Sequence, residues 1–194
     1  MTILIIPGLY GSEPQHWQSR WEAELDDIRR VEQQDFDRPA LEVWLATLVE
    51  AVRRSPGAIL VGHSLGATLI AHLAARHPDL PVGAAMLVAP ADPELRRSRV
   101  PGLASFAPLP LEPFAFPAML VASRSDPYMA LDRARVLANL WEAAFVDAGD
   151  AGHINVASGH GGWPAGLSLL DQLRASLGAA APLERRPQLR LVAG

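Results

Sequence analysis

Five short apolar runs mark the chain, at residues 3–6, 58–61, 85–88, 118–121 and 144–146, and none alternates apolar with polar residues. A strand with one wet face would alternate, because successive side chains point to opposite sides of a sheet. Unbroken runs predict strands covered on both faces, the habit of a parallel sheet wrapped in helices. A weaker strand is expected at residues 29–33. Between the runs, Trp17, Trp21 and Leu25 recur at helical spacing after Pro14, and Leu41, Leu45, Leu48 and Val52 do so after Pro39. Further helical segments fall at residues 65–77, 131–141 and 167–177. The order β-α-β-α-β-α-β-loop-β-α-β-α predicts an α/β fold, a doubly wound, mostly parallel sheet of about six strands with helices on both faces. Ligands of such sheets bind beyond the C-terminal ends of the strands.

The 194 residues suit one domain, placed at 1–177, and the Ala- and Pro-rich stretch 178–194 is expected to be a mobile tail. A hydrophobic content of 49% supports a packed core and excludes a disordered chain. There is no cysteine, which excludes disulfides, thiolate metal sites and a cysteine nucleophile. All 17 basic residues are arginine, so Schiff-base chemistry and a phosphate-loop lysine are excluded as well. The formal charge of -4 provides no cationic field for nucleic acid. No run approaches the roughly 18 apolar residues that span a bilayer, and no targeting segment is visible. No nucleic-acid partner, no membrane association and a cytoplasmic location are therefore the expectations. The sequence names no protein partner.

The sharpest chemical signal is Gly62-His63-Ser64-Leu65-Gly66, between the strand at 58–61 and the helix that starts near Leu65. A serine forced onto a tight strand-to-helix turn needs small neighbours, which Gly62 and Gly66 supply, and its hydroxyl then projects over the strand ends. The helix start would offer the Leu65 N–H and a partial positive charge to an oxyanion. The bland alternative is a serine that caps the helix.

A serine hydroxyl is a poor nucleophile near neutral pH, so an imidazole must accept its proton and a carboxylate must orient that imidazole. In this kind of sheet the order Ser, acid, His is expected, each on a loop after its own strand. Asp126 follows the strand at 118–121, and His153 follows the strand at 144–146. Asp92, after the strand ending at Val88, is the rival acid, and Asp126 could instead start a turn before Pro127. His72 and His77 lie on a helix away from the strand tips, and His63 flanks the serine rather than facing it. His153 and His160 lack a third ligand in register, so no metal site is expected. The turn after the first strand, Pro7-Gly8-Leu9-Tyr10-Gly11, suggests the Leu9 N–H as second oxyanion donor. By loop position, Tyr10, His16, Trp17 and part of 106–116 should wall the substrate pocket.

Several of these segments together resemble one family. Pro7-Gly8-Leu9-Tyr10-Gly11-Ser12 with His16-Trp17, the Gly-His-Ser-Leu-Gly turn, Ser125-Asp126-Pro127-Tyr128, and Ala151-Gly152-His153-Ile154-Asn155 running to Ser158-Gly159-His160-Gly161 and Trp163-Pro164 are similar to the small serine hydrolases related to retinoblastoma-binding protein nine and the bacterial YdeN-like proteins. The resemblance covers residues 2–177. It implies a compact, lidless α/β-hydrolase core and a triad of Ser64, Asp126 and His153, with no cofactor. A retinoblastoma-pocket motif, which requires cysteine, does not carry over. The expected activity is hydrolysis of small esters, with amides and thioesters open to the same acyl-enzyme chemistry; a lyase or acyltransferase using the same triad, and a non-catalytic interaction module on the same fold, are the alternatives.

Overall fold

The computed structural model describes residues 1–94 and 102–179 and turns every apolar run into a strand. In chain order the strands are β1 (Ile3–Ile6), β2 (Ile28–Arg30), β3 (Ala58–His63), β4 (Val82–Val88), β5 (Ala118–Ala122) and β6 (Ala144–Asp147). The helices of the described residues are α1 (Trp17–Glu24), α2 (Leu41–Arg54), α3 (Leu65–Arg76), α4 (Leu131–Leu140) and α5 (Pro164–Ala179). The weak strand expected at 29–33 pairs one residue earlier and ends sooner, with Ile28 opposite Ile3 and Arg30 opposite Ile5. Helix α5 opens on Pro164, where proline's missing N–H costs nothing, and continues past the expected end at Leu177. The rest of the expected tail, 180–194, and residues 95–101 of the long connection lie outside the described residues.

All neighbouring strands are parallel, in the order β2-β1-β3-β4-β5-β6. The chain steps from β1 to β2 on one side, then crosses over to place β3 on the other side of β1 and winds outward from there. The winding reverses between β1 and β3, and the C-terminal ends of those two strands frame a crevice.

Residue alternation within each strand explains the two cores. Leu4, Ile6, Leu60, Ala85, Leu87 and Leu120 face one way and pack against α2, α3 and α4. Ile3, Ile5, Ile59, Val61, Met86 and Val121 face the other way, against Trp17 and Trp21 of α1 and Leu170 and Leu173 of α5. This is why the runs show no polar alternation: both faces are dry. Exposure appears at the edge strands β2 and β6 and at the first two residues of β4. No helix of the described residues is long and apolar enough to cross a membrane.

If burial rather than helix propensity dominates stability, Leu48→Ala on α2, at a fully buried position, should cost about 2–5 kcal/mol. Val136→Ala on α4, at a site 55% exposed, should change stability by no more than about 0.5 kcal/mol. Urea unfolding of the two variants beside the wild type measures both values, and equal losses would contradict this layering.

Candidate active site

Strand β3 ends at His63 and helix α3 begins at Leu65, so the chain must reverse at Ser64 alone. It does so with φ 53 and ψ -120, a conformation an L-residue holds only under compulsion. Close approach explains the flanking glycines. A Cβ on Gly62 would lie 2.8 Å from the Ala67 backbone, and one on Gly66 would lie 2.1 Å from the Ile6 carbonyl oxygen. The first turn of α3 can therefore rest against β3 and against the end of β1. Ser64 stands at the N-cap of α3, but its side chain makes no cap hydrogen bond, which removes the bland reading and leaves the hydroxyl available.

The loops after β5 and β6 carry the acid and the imidazole. Both Asp126 carboxylate oxygens lie 3.0 Å from His153 Nδ1, and Oδ1 also accepts the Tyr128 N–H at 2.8 Å. The two side chains are only 2% and 9% exposed. A carboxylate oxygen accepts, so His153 Nδ1 carries a proton directed at Asp126. Two serines join the loops: Ser123 Oγ accepts the Ala151 N–H at 2.9 Å, and Ser125 Oγ accepts the Gly152 N–H at 3.0 Å. Asp92 is committed elsewhere, with Oδ2 accepting from Arg133 Nε at 2.7 Å and Oδ1 from the Glu94 N–H at 2.9 Å.

After β1 the chain makes a 3-10 turn at Leu9–Gly11. A Cβ on Gly8 would lie 2.9 Å from Ser64 Cβ and 3.1 Å from the Leu65 nitrogen, so the turn packs directly on the elbow. Leu9, Leu65, Ser64 and His153 line one cavity of about 360 Å³, together with Tyr10, Ser12, Glu13, His16, His63, Ala91, Asp92, Leu103, Tyr128 and Asn155. Tyr10 and Tyr128 remain 68% and 41% exposed on its wall, so it opens to solvent.

Of the pocket residues expected from sequence, Tyr10 and His16 line the cavity, and Trp17 does not. Trp17 is fully buried beneath the site, where its indole N–H donates to the Ile154 carbonyl at 2.9 Å and its ring packs against Trp21 and Trp163. Phe106 is equally buried, edge-on to Trp44, and Phe114 stacks on Trp141; the wall on that side is Leu103. Loop position alone could not separate rings that face the cavity from rings that face the core.

The matching family model is that of the serine hydrolases, and it spans residues 3–172 of the chain. The chain belongs to this serine hydrolase family. A YdeN-like hydrolase of Pectobacterium atrosepticum is similar at 32% identity and a TM-score of 0.81 over 91% of each chain. The ydeN product of Bacillus subtilis is similar in fold at 22% identity and a TM-score of 0.72, over 90% of this chain and 98% of that one. Esterase 2 of Thermogutta terrifontis shares the fold at 16% identity, with a TM-score of 0.70 over 94% of this chain and 85% of that one. No curated protein matches. The minimal α/β-hydrolase fold is thus the fold of this serine hydrolase, with YdeN-like proteins among its relatives.

Sequence reasoning passed over His63, which proves central to the packing of this hydrolase. Its Nε2–H donates to the His153 carbonyl at 2.9 Å, and its ring lies 4.8 Å from that of His153 and 4.7 Å from that of His16. Three imidazoles this close cannot all be cationic. Burial, followed by repulsion from His153 and His16, holds His63 well below the usual histidine range. Burial also pushes His16 from 6.5 down to about 4, with repulsion from His153 and Arg30 adding to the effect. Neutral His16 accepts the Gln18 N–H at Nδ1, at 3.2 Å, and so caps α1.

A histidine whose folded pKa lies below its unfolded value takes up its proton first in the unfolded chain, so acid favours unfolding. Stability should be flat above the unfolded value of 6.5 and fall as the pH drops toward about 4. His16 alone should cost about 3 kcal/mol across that window. Denaturant unfolding at stepped pH measures the loss. His16→Asn, which can still cap the helix, should make the dependence shallower, with His63 supplying the part that remains, and an unchanged slope would acquit His16.

Proposed function

We propose that this hydrolase cleaves small carboxylic esters through an acyl-enzyme, with Ser64 as nucleophile, His153 as base and Asp126 as its orienting carboxylate. One observation carries the reading. A serine hydroxyl released from helix capping shares a cavity with an imidazole whose Nδ1 is held by a buried carboxylate. As Ser64 Oγ bonds to the carbonyl carbon, its proton passes to His153 Nε2. The N–H groups of Leu9 and Leu65 receive the charge that builds on the carbonyl oxygen, where fixed donors act most strongly. Collapse of the tetrahedral adduct breaks the bond to the alkoxide, which leaves with the proton from His153. Water then gives a proton to His153 and attacks the acyl group, and the proton returns to Ser64 as the acid departs. Amides and thioesters fit the same scheme. The small substrate size and the assignment of Tyr10 and His16 to the pocket belong to the same proposal.

Ser64→Ala should abolish ester turnover and covalent labelling by a fluorophosphonate. Asp126→Asn should lower kcat by roughly 10⁴, because it favours the wrong imidazole tautomer. Asp92→Asn, which weakens the pairing with Arg133, should reduce stability and leave kcat within about tenfold, since Asp92 makes no bond to His153. Stoichiometric labelling of purified Ser64→Ala would refute the nucleophile, and a larger kcat loss from Asp92→Asn would reassign the acid.

The cavity of about 360 Å³ mixes apolar walls such as Leu9, Leu65 and Leu103 with polar ones such as Glu13 and Asn155, and it opens to solvent beside Tyr10 and Tyr128, so it provides little enclosed wall for a long acyl chain. Each methylene added should gain far less than the roughly 0.8 kcal/mol that full burial provides. In a series of p-nitrophenyl esters from acetate to palmitate, kcat/KM should level off by butyrate. A steady climb through the dodecanoate, or a jump when micelles form, would point to a lipid-binding wall instead.

A further inference from the structure

Gln18 is a fully buried polar side chain for which the triad provides no task. Burying an amide is unfavourable unless its donors and acceptor are paired, and here they are. Nε2 donates to the Ile6 carbonyl at 3.3 Å and to the Val61 carbonyl at 3.1 Å, while Oε1 accepts the Ser12 hydroxyl at 2.7 Å. These three partners lie at telling places. Ile6 is the last residue of β1, three residues before Leu9. Val61 lies in β3, three residues before Ser64. Ser12 closes the far end of the Leu9–Gly11 turn.

The pairing of β1 with β3 ends at Ile6 opposite Gly62. Past that point no ladder holds the two chain segments together, although they carry the two oxyanion donors. Gln18 ties Ile6 and Val61, at the end of that pairing, to Ser12 on the far side of the Leu9 turn. The grip is itself braced: Ser19 Oγ donates to the Ser12 carbonyl at 2.8 Å, and the Arg30 guanidinium donates to the Gly11 carbonyl, to Ser19 Oγ at 2.7 Å and to Glu22 at 2.8 Å. The turn needs holding, because Tyr10 and Ser12 sit at φ 67 and 58, left-handed conformations that side chains adopt only when their surroundings dictate it.

We infer that Gln18 is a positioning residue that fixes the Leu9 N–H relative to the Leu65 N–H, acting through the ends of β1 and β3. The inference rests on the acyl-enzyme reading above. Donors preset for a tetrahedral oxyanion discriminate it from a planar carbonyl by position, so a slackened turn loses transition-state binding and keeps ground-state binding. A side chain that only satisfied strand-end carbonyls would, when removed, lower stability without this signature.

Gln18→Met keeps the length and volume and removes every polar contact; Ser12→Ala removes only the bond to Oε1. In Gln18→Met, kcat for a short-chain ester should fall 10- to 100-fold with KM within threefold. Affinity for a matched trifluoromethyl ketone, which forms a tetrahedral adduct, should fall by the same factor as kcat/KM, and that for the planar methyl ketone should not. Ser12→Ala should show the same pattern at less than tenfold. Hydrogen exchange at the Tyr10 and Gly11 amides should quicken at least tenfold in Gln18→Met, with α3 unchanged.

Unchanged kcat in a folded Gln18→Met, a loss confined to KM, or unchanged exchange in the turn would each overturn the inference. Should that variant not fold, Ser12→Ala decides, and wild-type kcat there overturns it. If the wild type neither turns over esters nor takes the phosphonate at Ser64, the acyl-enzyme reading has failed, and the exchange comparison alone judges whether Gln18 holds the turn.

Discussion

A doubly wound parallel sheet must reverse its direction of winding once, and at that point two neighbouring strands send their chains apart. Here the reversal falls between β1 and β3, and the rest of the molecule is arranged around the gap it opens. The β1 chain leaves through the Leu9–Gly11 turn, and the β3 chain leaves through Ser64 into α3. Backbone N–H groups and a helix N-terminus gather there without any side chain having to supply charge. A chain without lysine or cysteine thus gathers main-chain N–H groups and one serine at a single crevice.

Holding that gap open has costs that the surrounding packing offsets. Ser64, Tyr10, Ser12 and Ile154 all take positive φ, and each such residue is unfavourable by about 1–3 kcal/mol. What fixes them is a set of polar contacts between residues distant in the chain rather than loop sequence. Gln18 ties the strand ends, Ser123 and Ser125 join the acid loop to the imidazole loop, and Trp17 and His63 hold the carbonyls of Ile154 and His153. The two dry cores make this possible, since rigid strands give every loop a fixed point of departure.

Burial also decides the electrostatics of the site. His16, His63 and His153 are packed ring to ring, and desolvation keeps the first two from competing for protons near neutral pH. Asp126 is buried against His153 Nδ1, whereas Asp92 is neutralised by Arg133. Two carboxylates at the ends of neighbouring strands therefore have different partners and different consequences, although their sequence positions looked alike.

The layers and the chemistry-bearing positions are legible in local pattern. Apolar runs without alternation dictated buried parallel strands, helical spacing dictated the connecting elements, and the Gly-flanked Ser64 and the loop positions of Asp126 and His153 put the candidate triad on one edge of the sheet. These features depend on local periodicity and on chain order, which the sequence states directly. Features that depend on contacts between residues far apart in the chain emerge only on folding. Folding joined Asp126 rather than Asp92 to the imidazole, turned Trp17 and Phe106 into the core while Leu103 faces the cavity, and put His63 under the His153 loop. Gln18 is the plainest case. Nothing in its neighbourhood, between two tryptophans on a short helix, marks it, because its partners lie 12 and 43 residues away, and only the folded sheet brings those two carbonyls within reach of one amide.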